Sequence, residues 1–258
     1  MDRRYASQYR LLYERHWWWR ARERVILELL RRCGLPRGQE TILDVGCGDG
    51  VFFDRLSQFG KVQGVESDPA IVDPHSRWSQ AIHIGPFDDS FQPPGRYSLI
   101  LMLDVIEHVP APEAMLRKAG ELLAPGGLIV LTVPALKSLW TTHDDLNKHY
   151  TRYTKQSLRA VVRAAGLSER SSRYFFAWIC PLKLLIGWKE RLLRSKPRPP
   201  RIPMAPLNRL FYGISRLEEA ALGRLPLPLG SSLLLVATLA DSPPGRADRA
   251  ENLRKRRS

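Results

Sequence analysis

The stretch TILDVGCGDG, residues Thr41 to Gly50, decides which fold this sequence can adopt. Its first half, Thr41–Val45, is typical of a short buried strand, and the VFFDRLSQF that follows the stretch has helical spacing. Between the two, glycines at every second position let the backbone turn sharply and approach a ligand closely. The order GxGxG differs from the GxGxxG of dinucleotide-binding loops. The stretch therefore predicts a strand, a ligand-binding loop and a helix.

Apolar runs on either side of this unit alternate with helix-like stretches, which is typical of an α/β fold with a mostly parallel sheet. The predicted strands are Thr41–Val45, Lys61–Glu66, Ala81–Ile84, Tyr97–Leu103, Leu128–Val133, Arg173–Ala177 and Ser232–Leu239. Helices are predicted over Pro112–Leu123 and Thr154–Ala165.

The long gap before the last predicted strand sets the domain organisation. We expect a basic, aromatic N-terminal helix in residues 1–34 and a core formed by 35–177 and 231–241. Residues 178–230, which are helical in part and rich in proline, are interpreted as an insertion in the final hairpin, because the last strand needs a sheet to join. A linker between separate domains is the alternative. Residues 242–258 are expected to be a disordered basic tail.

The composition limits the class of protein. Of 258 residues, 44% are hydrophobic and 26% charged, as in a globular domain. Three scattered cysteines, Cys33, Cys47 and Cys180, exclude a disulfide framework or a cysteine-based zinc site. The net charge of +14 lies in the flanks, since residues 41–180 hold 14 Lys and Arg against 15 Asp and Glu. A nearly neutral middle argues against a nucleic-acid enzyme, which would place positive charge beside its cleft.

Two carboxylates flank the glycine loop. Asp44 stands at its entrance, where it suits a ligand with a positive amino group and would repel a pyrophosphate. Glu66 ends the second predicted strand, where an acidic residue can accept hydrogen bonds from both hydroxyls of a ribose. The alternative for Glu66 is a solvated carboxylate at the end of a strand.

The order of these motifs resembles class I S-adenosylmethionine-dependent methyltransferases over roughly residues 35–177. It runs LDVGCGDG, Glu66, LDVIEHV after the fourth strand, then LLAPGGLIVLTVPA. The resemblance implies a Rossmann-like, seven-stranded sheet with helices on both faces and an antiparallel last strand. It also implies S-adenosyl-L-methionine as the cofactor. The implied cofactor contacts are Asp44, Gly46, Cys47, Gly48, Gly50, Glu66, Ser67, Asp88, Leu103 and Asp104.

Individual roles follow from the same resemblance. Asp88, or its neighbour Asp89, would touch the adenine, and Leu103 and Asp104 would lie near the methionine end. Cys47, inside the loop, is interpreted as a packing residue rather than a nucleophile.

The segment after the fifth strand is similar to a bacterial subgroup of these enzymes, with the pattern VPA, LW, HD and HxxRY. Ligands bind at the carboxyl ends of parallel strands, and a methyl acceptor often needs a base to take its proton. We therefore predict His143 or His149 as the base, oriented by Asp144 or Asp145. The predicted acceptor contacts are Trp140, Arg152 and Tyr153. The alternative is that these pairs only pin a loop.

Two further histidine assignments complete the predicted site. His108 is interpreted as a residue that organises the turn after the fourth strand. No metal site is predicted, because the remaining histidines lack the spacing of metal ligands.

Both flanks contain tryptophans. Three consecutive tryptophans, Trp17, Trp18 and Trp19, cannot all face one core if they are helical, so some should cover a ligand, a membrane or the insertion. Residues 175–194 are apolar, flanked by tryptophan and then basic, but too short and interrupted to span a bilayer. They are expected to roof the acceptor pocket or to contact a membrane surface. We expect a cytoplasmic protein; peripheral contact on the inner membrane face is the alternative to a role in capping the site.

The predicted function is transfer of a methyl group to an oxygen of a small-molecule or lipid-linked acceptor. Two alternatives remain. A nucleic-acid methyltransferase is disfavoured because the Asp/Asn-Pro-Pro-aromatic tetrapeptide is absent. A cofactor-binding protein without catalysis is disfavoured by the intact loop and Glu66. The sequence does not predict an oligomeric state.

Overall fold

The computed structural model describes residues 10–33, 40–194, 196–197 and 199–240. The strands are β1 (Glu40–Val45), β2 (Gly60–Glu66), β3 (Ile82–Ile84), β4 (Tyr97–Leu103), β5 (Leu123–Pro134), β6 (Leu167–Phe175) and β7 (Ser232–Leu239). The helices are α1 (Trp17–Arg32), α2 (Phe53–Leu56), α3 (Pro112–Leu122), α4 (Thr142–Leu146), α5 (Lys155–Ala164), α6 (Cys180–Leu192) and α7 (Ala205–Leu222).

The seven strands form one sheet in the order β3-β2-β1-β4-β5-β7-β6. Pairs among β1 to β5 are parallel, whereas β7 runs antiparallel to both β5 and β6. Helices α6 and α7 lie in the chain between β6 and β7. The predicted mostly parallel sheet with an antiparallel last strand, an N-terminal helix and a helical insertion is confirmed.

Side chains that alternate along β4 build a core on each face of the sheet. Leu99 and Leu101 join a cluster that includes Ile26 of α1, while Ile100 and Met102 join a second cluster with α3 and α5. Because both faces are covered, the strand is apolar almost throughout, which is why its bounds were predictable.

Two strands differ from their predicted bounds by more than one residue. β6 covers Leu167–Phe175 instead of Arg173–Ala177, because it is an edge strand paired only with β7 and keeps polar side chains half-exposed. β5 begins at Leu123 rather than Leu128, and its pairing with β4 shifts register across the intervening APGG. The division into domain units stays a prediction, and residues 1–9, 34–39 and 241–258, including the expected basic tail, lie outside the described part of the chain.

The N-terminal helix and the insertion pack together as a cap. The backbone N–H of Trp17 donates to the side-chain carbonyl of Asn208 in α7 at 2.9 Å, and the Trp17 ring lies 5.4 Å from Trp178 and 5.6 Å from Phe211. All three tryptophans contact the same cluster, so they do share one core. The expected consequence nevertheless holds, because Trp17 covers the insertion and Trp18 lines the cavity described below.

Candidate active site

A cavity of about 840 Å³ lies where the glycine loop, the turns after β4 and β5, and the cap meet. Gly46 and Gly48 line it beside Glu66, Leu103 and Asp104. These residues follow or end parallel strands, whose carboxyl ends meet at one edge of the sheet. Of the ten predicted cofactor contacts, five therefore share one cavity wall.

Glu66 closes the glycine loop onto β2. Its Oε2 accepts from the N–H of Gly48 and its Oε1 from the N–H of Asp68, both at 2.9 Å. Gly46 has φ +71°, and an added Cβ there would lie 2.8 Å from a methyl of Val105. The loop therefore requires glycine for its turn, and Glu66 holds it beside the cavity.

Asp44 lies below the loop in a small pocket that shares Gly46, Leu103 and Arg22 with the main cavity. Burial raises the pKa of its carboxyl to about 7, against the opposing charge of Arg22. Arg22 also pairs with Asp104. Sequence reasoning missed Arg22; the available signal was a basic residue among the apolar positions of an amphipathic helix.

The other predicted cofactor contacts lie off the cavity wall. The Cys47 thiol packs against Gly64, and burial raises its pKa, which agrees with a packing role. Gly50 faces Trp78. Ser67 and Asp88 are exposed, and the Asp88 carboxylate accepts from the N–H and hydroxyl of Ser90 at 2.8 and 2.6 Å. Contacts of Ser67 and Asp88 with a cofactor stay predictions.

Asp144 anchors the segment after β5. It is fully buried and accepts from Nε and Nη2 of Arg152 at 2.8 and 3.0 Å, from Nδ1 of His149 at 2.8 Å and from the N–H of Thr141 at 2.8 Å. Burial alone raises the pKa of Asp144, but the hydrogen bonds from His149 and Arg152 outweigh it and hold the pKa well below 3.8. His149 is thus oriented by an ionised carboxylate, as predicted for a base.

The three predicted acceptor contacts are engaged within the protein. The remaining guanidinium nitrogen of Arg152, Nη1, donates to the carbonyl of Ala135 at 3.0 Å. The Tyr153 hydroxyl donates to the carbonyl of Ile106, and the indole of Trp140 donates to Asp145 at 2.8 Å. Trp140 and Tyr153 do not line the cavity. This geometry favours the alternative interpretation, in which Trp140, Arg152 and Tyr153 pin the loop.

His143 lines the cavity but is bonded differently from His149. Its Nε2 lies 3.0 Å from the side-chain nitrogen of Asn147, which can only donate, so Nε2 accepts. Burial, together with the charge of Lys183, lowers the pKa of His143 to about 4, so the ring is neutral at pH 7. The Nε2 lone pair of His143 is therefore used in this hydrogen bond. His149 is the better placed of the two predicted bases.

Three cavity-lining residues have charge or proton chemistry that the sequence did not single out. Lys183 of α6 has its pKa lowered to about 8 by burial and by the charge of Arg152. Glu107 is fully buried, and burial followed by the charge of Asp104 raises its pKa. Glu190 accepts from the N–H and hydroxyl of Thr142 at 2.8 and 2.9 Å, which ties α6 to α4. One sequence feature could have identified Lys183, because it is a lone charge within an apolar stretch.

Comparisons with known proteins agree with the fold. Residues 18–171 match the family of methyltransferase domains. The ubiquinone biosynthesis O-methyltransferase of Pseudomonas paraeruginosa is 31% identical over 101 residues, which is 36% of this chain and 44% of that protein. Its counterpart in Xanthomonas euvesicatoria pv. vesicatoria is 30% identical over 147 residues, 49% of this chain and 62% of that protein. The chain spans about half the length of the curated relatives it matches.

Solved structures share the architecture at low identity. A methyltransferase from Archaeoglobus fulgidus aligns with a TM-score of 0.53 at 15% identity, covering 83% of this chain and 93% of that one. The CcbJ methyltransferase of Streptomyces caelestis aligns with a TM-score of 0.51 at 15% identity, covering 85% and 89%. These likenesses establish the fold.

Proposed function

The chain belongs to the methyltransferase-domain family, and from this premise we propose that it transfers a methyl group from S-adenosyl-L-methionine to an oxygen of a small-molecule or lipid-linked acceptor. The observation that carries the proposal is that one cavity includes both the glycine loop with Glu66 and a polar wall with His149 and Lys183. Such a cavity is large enough for two ligands side by side.

The residues present fit the charges of the cofactor. Glu66 would accept from the ribose hydroxyls, and the backbone of Gly46 and Gly48 would approach the nucleoside closely. Asp44 would pair with the amino group of the methionine part and Arg22 with its carboxylate, a charge-assisted contact. When bound, the cofactor supplies a methyl group already activated on a sulfonium. The work left to the protein is alignment, exclusion of water and handling of one proton.

The polar wall with His149 and Lys183 would assist loss of the acceptor's proton. A hydroxyl acceptor must lose its proton on methylation, and His149, held by Asp144, is the cavity-lining group placed to assist. Lys183, charged below its pKa of about 8, would stabilise the negative oxygen that forms. Trp18 and Ile186, both on the cavity wall, would exclude water. The curated relatives are ubiquinone biosynthesis O-methyltransferases, which supports oxygen as the acceptor atom.

A lipid-linked acceptor is supported by α6. No helix in the described ranges is both long and apolar enough to cross a membrane. The outer side of α6 nevertheless exposes 63% of Leu185, 67% of Trp188 and 67% of Leu192, next to the basic Lys189. The same helix lines the cavity through Ile186 and Lys183. We therefore include peripheral contact of α6 with an anionic membrane in the proposal.

Vesicle flotation tests the membrane part. The full chain should float with phosphatidylglycerol vesicles at low salt and much less with phosphatidylcholine vesicles, because basic and apolar contacts act together. Trp188→Glu should abolish flotation, whereas Met204→Glu, an exposed apolar position outside α6, should leave it unchanged. Wild-type protein that stays at the bottom of the gradient at low salt contradicts membrane contact.

Transfer of labelled methyl from S-adenosylmethionine into fractionated cell extracts tests the catalytic part. We expect label in the small-molecule or lipid fraction, with incorporation at least about 10-fold lower for Glu66→Ala because a charged hydrogen-bond acceptor is lost. His75→Ala, at an exposed histidine, is the matched control and should behave as wild type. Label in RNA would favour the nucleic-acid alternative, and cofactor binding without any transfer would favour the non-catalytic one.

A further inference from the structure

We propose that Glu107, His108 and His149 form a binding site for a divalent transition-metal ion of the Zn²⁺ type on the wall of the cavity. One possible ligand atom from each residue lies within 4.8 Å of the other two. All three residues line the cavity. Glu107 and His108 belong to the turn after β4, and the N–H of Tyr150 donates to the carbonyl of Glu107 at 2.8 Å, which ties that turn to the segment with His149.

Glu107 supplies an independent observation. Its side chain is fully buried, and neither carboxylate oxygen has a hydrogen-bond partner among the described residues. A buried carboxylate without partners is strongly unfavourable, so such groups in proteins are paired or bind metals. A cation next to Glu107 would give the buried carboxylate a partner and offset the cost of its burial.

The hydrogen bonds of the two histidines fix which nitrogens face a ligand. Nδ1 of His108 lies 2.9 Å from the backbone carbonyl of Asn147, and Nδ1 of His149 lies 2.8 Å from the carboxylate of Asp144. A carbonyl and an ionised carboxylate only accept, so each Nδ1 carries the hydrogen. A ring whose single hydrogen is on Nδ1 offers a lone pair at Nε2.

This is the arrangement in which histidines bind metals. A metal-bound imidazole usually donates its other N–H to a carboxylate or a backbone carbonyl, which fixes the tautomer and the orientation of the ring. His149 uses the carboxylate form through Asp144, and His108 uses the carbonyl form through Asn147. The rings are close, with centroids 4.7 Å apart and nearly perpendicular. Asp144 and the backbone of Asn147 are thus positioning groups for the site.

The donor set selects the ion. Two imidazoles and one carboxylate match the ligands of Zn²⁺ and related first-row ions, whereas Mg²⁺ and Ca²⁺ prefer oxygen donors throughout. Three protein ligands leave a coordination position open, which in this cavity is available to an acceptor oxygen. That use of the ion rests on the proposed methyl transfer, whereas binding of the ion does not. Because the ion would use the Nε2 lone pair of His149, His149 assists the acceptor proton directly only in the metal-free protein.

Metal titration of the untagged, chelator-treated full chain tests the site. We expect one equivalent of Zn²⁺ by calorimetry, a rise in Tm on binding, and visible absorption when Co²⁺ replaces Zn²⁺. Glu107→Gln and His149→Ala should each weaken Zn²⁺ binding by at least about 10-fold, since loss even of an outer-shell partner has that effect. His75→Ala, an exposed histidine, should bind as wild type does.

Three results would overturn the proposal. They are wild-type protein that binds no stoichiometric Zn²⁺, Glu107→Gln protein that is folded by circular dichroism and binds Zn²⁺ as tightly as wild type, and Mg²⁺ that binds better than Zn²⁺. S-adenosylmethionine binding is measured on the same samples. Zn²⁺ binding without cofactor binding contradicts the proposed function and supports the metal site, and the reverse result contradicts the metal site alone.

Discussion

At the scale of single residues, Asp44 is a proposed cofactor contact whose ionised form is disfavoured by its surroundings. Its carboxyl is almost fully buried, and burial raises its pKa to about 7. The charge of Arg22 lowers the pKa in part, and that of Glu66 raises it. A carboxylate so placed gains most when a cationic group arrives beside it. Its ionisation should therefore follow cofactor binding.

The affinity for S-adenosylmethionine should rise with pH from about 6 to about 8, the window around this pKa, because only ionised Asp44 pairs with the ligand amino group. In the ligand-free protein, the contribution of Asp44 to stability changes with pH in the opposite direction to the affinity. A raised pKa contributes stability that is present at low pH and lost as pH rises through about 7. Calorimetric titration across this range measures the affinity. Asp44→Asn should bind more weakly with no such rise, and a flat wild-type profile would refute the assignment.

Gly64 of β2 packs closely against Cys47 of the glycine loop. A Cβ at this position would collide with the Cys47 side chain and lie 2.6 Å from the Phe53 ring. Gly64→Ala should lower the free energy of unfolding by about 1–3 kcal/mol, as over-packing does, and should weaken cofactor binding by shifting Cys47. Urea denaturation measures the first effect. Gly95→Ala, where a Cβ meets nothing within 4 Å, is the control; equal losses in both variants would show that the close contact does not matter.

At the scale of elements, the segment between β5 and α5 contains a buried ion pair. Asp144 at the start of α4 and Arg152 after it join through two hydrogen bonds, with side-chain exposures of 0% and 1%. The same carboxylate closes a capping box with Thr141 and orients His149. One side chain therefore fixes both the helix start and the ring on the cavity wall.

Arg152→Met should destabilise the protein by about 3–5 kcal/mol, because it leaves the Asp144 charge buried without its partner. Asp144→Asn combined with Arg152→Met should recover part of that loss, since the uncompensated charge is gone. Thermal and denaturant unfolding of the three proteins measure the differences. A single variant as stable as wild type would mean that the pair does not hold the segment.

The low pKa of Asp144 gives this pair a pH signature. Its stabilising contribution is complete above the ordinary pKa of 3.8 and is lost as the pH falls below that value. The wild type should therefore lose more stability than the double variant on acidification below about pH 4. Equal acid sensitivity of the two proteins would contradict the ionised state of Asp144.

At the scale of the whole molecule, the sheet was predictable where burial on both faces makes strands apolar. β4 and β7 have the predicted bounds, and β1, β2 and β3 differ by one residue at their starts. The edge strand β6 was misplaced because its exposed side leaves no apolar signature. The hydrogen bond from the backbone N–H of Trp17 to Asn208 depends on the folded cap, which no local pattern encodes.

The site was predictable in part for the same reason. The glycine loop and Glu66 are close in the chain, and their convergence follows from parallel strands. The roles of Arg152 and Glu107 could not be predicted, because they depend on which partners the folded segments bring. His108 and His149 lie on separate segments, which the folded chain joins through bonds such as those from Tyr150 to the Glu107 carbonyl and from His108 to the Asn147 carbonyl.

The central claim is that the glycine loop and Glu66 hold S-adenosylmethionine in the large cavity. Calorimetric titration of the full chain with S-adenosylhomocysteine, the demethylated product of the cofactor, tests it most directly, using wild type, Glu66→Ala and the control His75→Ala. We expect one site per chain, the same affinity for wild type and control, and affinity at least about 10-fold lower for Glu66→Ala. Absence of saturable binding to the wild type, or equal affinity for Glu66→Ala, would contradict the account.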